Sequence, residues 1–203
     1  MAFRKVRSNL QAEIDDQKDF IQECLEEVSV LLDKRNSEVE RMIKIQAKEE
    51  AQGDAEIESS IIRNYTYILI ANPQKKVMFL NAMMLMAYSY YETYYKRMAK
   101  MCGKDAKSFH EIYDDIIAPE TVDKIDTIKN QLKEVRNFLS HGDSKASEKQ
   151  IGIVSSLDKS RGDITFKYGQ VEVKESFIYW SLNLIHDSLS EIAKVVDGFM
   201  LLN

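Results

Sequence analysis

The residues best equipped for chemistry sit close together: Arg136, Asn137 beside it and, after three intervening residues, His141, with Gly142 directly behind. An arginine stays charged at any biological pH and can grip a phosphate through two parallel hydrogen bonds. A histidine gives or takes a proton near neutrality. A pair of this kind suits cleavage of a phosphodiester without a metal. On an ideal helix five residues turn through about 140° and rise about 7.5 Å, so the two side chains leave on different faces. The reach of the arginine, or a second copy of the chain facing the first, would let them converge. The plainer reading of the same residues is a surface arginine and a histidine that complements the negative end of a helix.

These residues must be held by helices. Pro119 opens a helix that runs through Ile125, Ile128, Leu132 and Val135 to the pair and stops at Gly142, followed by a polar loop over 143–149. Upstream, residues 9–50 carry apolar side chains at helical period: Ile14, Ile21, Val28 and Met42, a second row of Cys24, Leu31 and Ile45, and Leu25, Leu32 and Val39 widening the stripe. Such a face packs on a bundle. Gln52-Gly53-Asp54 breaks that helix. A second helix is expected from about Glu56 to Ala71, with Ile57, Ile61, Tyr65, Ile68 and Leu69 inward, ended by Asn72-Pro73. A third, nearly apolar from Met78 to Tyr91, runs to about Cys102, where Gly103 offers a left-handed stop. It is predicted to be the centre of the core, with Met83, Leu85, Met86, Tyr90, Leu132, Leu182 and Ile185 buried together. Its cluster of Tyr88, Tyr90, Tyr91, Tyr94 and Tyr95 reads as packing rather than as a platform for stacking nucleobases.

A short helix is expected over Ser108 to Ile117. The strand signal lies at about 151–173: Ile151 to Leu157 and Ile164 to Tyr168 flank a turn whose Arg161 makes it basic, and Val171 and Val173 alternate beyond Gly169. The last helix, about Glu175 to Leu202, buries Ile178, Leu182, Ile185, Leu189, Ile192, Val196 and Phe199. The fold class is therefore all-α, a helical bundle with a long N-terminal helix and a small β-hairpin before the last helix. Residues 1–55 form an N-terminal amphipathic extension packed on a helical domain over 56–203.

Composition narrows the function classes. The 203 residues are 44% hydrophobic and 30% charged, as in ordinary globular proteins, and the net charge is -5. A general nucleic-acid coat is usually basic, so contact with RNA needs a local basic site. Two cysteines make no disulfide framework, three histidines without Cys/His spacing make no zinc site, and no glycine-rich phosphate loop occurs. No cofactor or metal is expected. No signal peptide or membrane span is read, so the expected setting is the cytoplasm.

Arg136-Asn-Phe-Leu-Ser-His141 resembles the R-N-x-x-x-H signature of the HEPN superfamily (higher eukaryotes and prokaryotes nucleotide-binding), small all-helical domains that include metal-independent endoribonucleases of toxin–antitoxin, abortive-infection and antiphage systems. Met86-Ala-Tyr-Ser-Tyr-Tyr-Glu92-Thr-Tyr-Tyr-Lys96 is similar to the Y-x-x-x-E-x-x-x-K helix of the MAE-type and RiboL-PSP-type members. The resemblance covers about Gln74 to Leu202. It implies that Arg136 binds and polarises the scissile phosphate. His141 would assist attack by the ribose 2′-OH or protonate the leaving 5′-oxygen. Asn137 orients the site, and Glu92 holds Arg136 or simply pairs with Lys96. His110 and His186 match nothing in the family pattern. The implied protein is a homodimeric ribonuclease with RNA as substrate and an antitoxin or regulatory protein as partner. The alternative is a catalytically silent helical module that binds a partner protein or senses a nucleotide.

Overall fold

The computed structural model describes residues 2–141, 147–167 and 170–202. Its first helix, α1 (Ala2–Ala51), contains no glycine or proline, and nothing stops it until Gln52 and Gly53 adopt positive φ angles of 49° and 93°. Asp54 then caps α2 (Ala55–Asn64) by accepting from the backbone N–H groups of Glu56 and Ile57. The chain continues through α3 (Thr66–Met101), a 3₁₀ turn at Phe109–Ile112, α4 (Pro119–Thr127), a π-helical turn at Ile128–Leu132 and α5 (Lys133–His141). After α6 (Glu148–Arg161) come β1 (Ile164–Lys167), β2 (Gln170–Val173) and α7 (Glu175–Leu202). The strands pair antiparallel, Ile164 opposite Val173 and Phe166 opposite Val171. The expected all-α architecture, with its long first helix and a hairpin before the last, is what the chain adopts. No described helix is long and apolar enough to cross a membrane.

α3 is the centre. It packs against α1, α7, α5 and β2. Met83, Met84, Ala87, Tyr88, Tyr90, Tyr91, Tyr95 and Met98 are buried, sharing one core with Leu10, Ile14, Ile21 and Leu25 of α1 and with Leu132, Leu182 and Ile185. Of the expected core set, Leu85 is only half-buried and lies outside this cluster, while Met86 packs against its edge. The tyrosine hydroxyls bind those helices together. Tyr90 donates to the Ile14 carbonyl at 3.0 Å and Tyr94 to that of Glu13 at 3.1 Å. Tyr95 and Tyr113 share a hydrogen bond of 2.8 Å. Burial at this depth assigns Tyr88, Tyr90, Tyr91 and Tyr95 to packing and leaves no ring face for a nucleobase.

Several expected elements differ. Ile151 to Leu157 is helix rather than strand. Ser147 and Gln150 close a reciprocal capping box at the start of α6, and Gly162 ends it at φ 63°. Val154 and Leu157, three residues apart, then face the core. The hairpin is formed by the two segments that follow, and its turn, 168–169, lies outside the described residues. Arg161 is not a free basic tip: its guanidinium stacks 3.8 Å from the Trp180 ring centre and makes two hydrogen bonds, of 2.9 and 2.8 Å, to Asp163. The break between α2 and α3 falls at Tyr65, not at Asn72-Pro73. Pro73 lies inside α3 on an exposed face, where solvent can reach the carbonyl it leaves without a donor. Ile57 and Ile68 are exposed rather than inward, and α2 buries no residue fully. On the distal half of α1 the buried hydrophobic residues are Ile43, Ala47 and Ala51, while Leu31, Met42 and Ile45 face outward. Ser108 to Ile117 holds only the single 3₁₀ turn. Phe199 is half-buried. The expected stop at Gly142, and the loop after it as far as residue 146, lie outside the described residues.

The buried phenols make the fold sensitive to alkali. Burial, and then the nearby carboxylate of Glu92, push the Tyr88 hydroxyl up to about 12. Burial also raises Tyr90, Tyr91, Tyr95 and Tyr113. The folded chain therefore keeps protons that an unfolded chain releases near pH ~10. This contribution is complete below pH ~10 and is lost as pH rises toward ~12. Urea unfolding followed by circular dichroism should give a clearly lower midpoint at about pH 11 than at neutral pH. The phenolate absorbance of the buried set should appear together with loss of helix. An unchanged midpoint would mean that these rings are solvated.

Candidate active site at the end of the motif helix

Val135 and Phe138 anchor α5 by being buried, which leaves Arg136 and Asn137 at the margin of the core. Phe138 meets Phe166 of β1 edge to face at 5.3 Å, so the hairpin braces the motif helix. Asn81 of α3 donates to the Val171 carbonyl at 3.2 Å and ties the hairpin to the central helix.

Arg136 is the best-held member of the motif. Its guanidinium carbon lies 5.7 Å from the Tyr88 ring centre, one terminal nitrogen donates to Asn137 Oδ1 at 2.9 Å, and the other lies 3.7 Å from Glu92 Oε2. That last distance is an ion pair rather than a tight fork, and the side chain keeps 34% of its surface exposed. Donors remain for an anion. Glu92 also lies 3.8 Å from Lys96, so the two readings of this residue coexist: it faces the arginine and pairs along its own helix.

Asn137 passes the arrangement onward. Its amide donates to Glu134 Oε2 at 3.3 Å, and Gln150 donates to the same oxygen at 2.8 Å. The carbonyl oxygen of Gln150 accepts from Ser147 N at 2.8 Å, closing the capping box of α6. A polar chain thus runs from Arg136 through Asn137, Glu134 and Gln150 to the start of α6. It ties α5 to the start of α6. Glu134 and Gln150 were not singled out from the sequence, although serine followed three residues later by glutamine is a readable capping signature.

His141 is the last residue of α5, exposed, and its ring makes no hydrogen bond or ion pair with any described residue. The fold therefore gathers Arg136, Asn137 and Glu92 on one seam, and among the described residues no hydrogen bond or ion pair joins His141 to them. His186 is occupied by Asp15 at 2.8 Å across α7 and α1, and His110 by the Lys107 carbonyl at 2.7 Å. No cluster of three metal-binding side chains occurs among the described residues. No protein-family model, curated protein or solved structure matches the chain.

Gln150→Ala removes half of the capping box and the bond to Glu134, and should cost about 1 kcal/mol, within the 0.5–2 kcal/mol range of lost caps. Glu92→Gln touches half-exposed ion pairs only and should change stability by less than ~1 kcal/mol. Chemical denaturation of the two variants beside the parent checks this order. The reverse order would show that Glu92, not the α6 cap, holds the seam together.

Proposed function

We propose that the chain is a metal-independent endoribonuclease of HEPN type, working as a homodimer in a toxin–antitoxin, abortive-infection or antiphage setting. The observation that carries the reading is the state of Arg136: seated against Tyr88, steadied by Asn137, faced by Glu92 at a loose 3.7 Å, and still partly open to solvent. A guanidinium held this way can bind a phosphodiester and take up charge as it builds on the non-bridging oxygens. The ribose 2′-OH then attacks the adjacent phosphorus, and the bond from phosphorus to the 5′-oxygen breaks. The products are a 2′,3′-cyclic phosphate and a 5′-hydroxyl. A base takes the 2′ proton and an acid supplies one to the 5′-oxygen, which is the work of His141. That His141 has no hydrogen-bond or ion-pair partner among the described residues favours the second reading, a silent module that binds a partner protein or senses a nucleotide. A two-fold pairing that sets two α5 ends across one cleft answers it: the second chain supplies a second arginine and a second histidine, so one imidazole serves as base and its mate as acid.

Purified protein should cut single-stranded RNA in the presence of EDTA and leave cyclic phosphate ends. Arg136→Ala and His141→Ala should each abolish cutting while the helical circular dichroism persists. Strict dependence on added divalent metal, or full activity in both variants, would remove the nuclease reading.

The dimer has its own readout. Mixing Arg136→Ala protein with the parent should lower activity further than dilution alone does, because mixed pairs carry an incomplete cleft. A chain that remains monomeric in analytical ultracentrifugation and cuts at an unchanged specific rate would rule the shared cleft out.

A further inference from the structure

Arg136 is not the only cation seated on a tyrosine along this seam. Lys129, in the π-helical turn, places its ammonium 5.4 Å from the Tyr95 ring centre and 6.0 Å from that of Tyr113, with the Tyr113 hydroxyl 3.4 Å away. Tyr88 and Tyr95 are seven residues apart on α3, and so are Arg136 and Lys129 on the helix that runs antiparallel to it. One contact pattern is thus repeated at two points along the seam between α3 and the helix that carries the motif. Seven residues of helix make the repeat roughly 10 Å.

The two cations share a second trait. Two other partly buried cations are engaged by carboxylates: Lys76 by Asp33 at 2.5 Å and Glu175 at 2.8 Å, and Arg161 by both oxygens of Asp163. Lys129 has no carboxylate within ion-pair distance among the described residues, although Asp114 and Asp126 are near enough to favour its charge. Burial dominates and lowers its pKa. A half-buried ammonium on ring faces, with no ion-paired carboxylate among the described residues, can take an anion.

We propose that Lys129 is a second anion-holding residue on the Arg136 seam, taking a backbone phosphate of single-stranded RNA away from the one that Arg136 holds. The inference rests on the ribonuclease reading. Two cations roughly 10 Å apart along one seam follow a strand rather than a lone nucleotide. The buried tyrosines position the cations and leave the bases unread, so the pair grips backbone without choosing sequence.

The test measures binding apart from cleavage. A 2′-O-methyl oligonucleotide, which has no attacking hydroxyl, is titrated against the full chain by fluorescence anisotropy at several salt concentrations. Losing one phosphate contact lowers the slope of log affinity against log salt by about 0.7 for a single strand. Lys129→Gln should show that loss, Lys129→Arg should restore the parent slope, and Lys194→Gln, a remote charge control, should leave it unchanged. On the unaltered chain, the bound oligonucleotide should protect the Lys129 amine from acetylation, read by mass spectrometry. This arm stays decisive if Lys129→Gln fails to fold. A parent slope in Lys129→Gln, or acetylation of Lys129 at the same rate with and without the oligonucleotide, overturns the second phosphate contact. If Arg136→Ala still abolishes RNA cutting, that failure leaves the nuclease reading standing. A parent chain that neither binds the oligonucleotide nor cuts RNA removes both.

Discussion

Tyrosine is an awkward residue to bury. Its ring gains from leaving water, but its hydroxyl must then be given a partner or carry a desolvation cost of about 1–3 kcal/mol. α3 buries four tyrosines and half-buries a fifth, so the elements around it are placed where they can answer those hydroxyls. Carbonyls of α1 take Tyr90 and Tyr94, and Tyr113 near the 3₁₀ turn takes Tyr95. The Tyr91 hydroxyl finds no hydrogen-bond partner among the described residues. The first half of α1 is in this sense part of the central packing: Ile14 and Leu25 are fully buried against α3 and α7, and the backbone beside Ile14 receives a hydroxyl from the central helix.

The same row explains why positive charge gathers where it does. A tyrosine ring at the margin of the core offers a cation an attractive surface that costs no second charge. Arg136 and Lys129 use it at two levels, while the carboxylate of Glu92 stays at a distance from the guanidinium. The polar chain from Asn137 to Gln150 then removes freedom from the far side. The arginine is thus located by its neighbours without being neutralised by them.

Much of this was legible in the residues, and the parts that were not have physical causes. α7 announces itself because Ile178, Leu182, Ile185, Leu189, Ile192 and Val196 repeat at helical period with no competing signal. The centre of the core was readable because no other stretch is so apolar. α6 was misread because Ile151, Gly152 and Ile153 alternate locally like a strand, while the cap that decides the matter, Ser147 with Gln150, stands outside the apolar run. Pro73 suggested a boundary, yet an exposed helix face tolerates it. The motif residues were visible as types and spacing. The seating of Arg136 on Tyr88 was not, because it depends on the register between two antiparallel helices. Lys129 was hidden for the same reason, and because a π turn, which shifts the phase of everything before it, leaves no mark in composition.

The corner where α6 gives way to β1 has a practical consequence. The chain holds a single tryptophan, and the guanidinium of Arg161 lies 3.8 Å from its ring centre. Indole emission is therefore a local gauge. It reports the fit between the end of α6 and the first turns of α7, and is blind to the distal arm of α1. A transition followed by emission and one followed by the helical dichroism of the whole chain coincide only where that corner opens with the bundle. Any gap between the two curves measures how far the long first helix melts by itself.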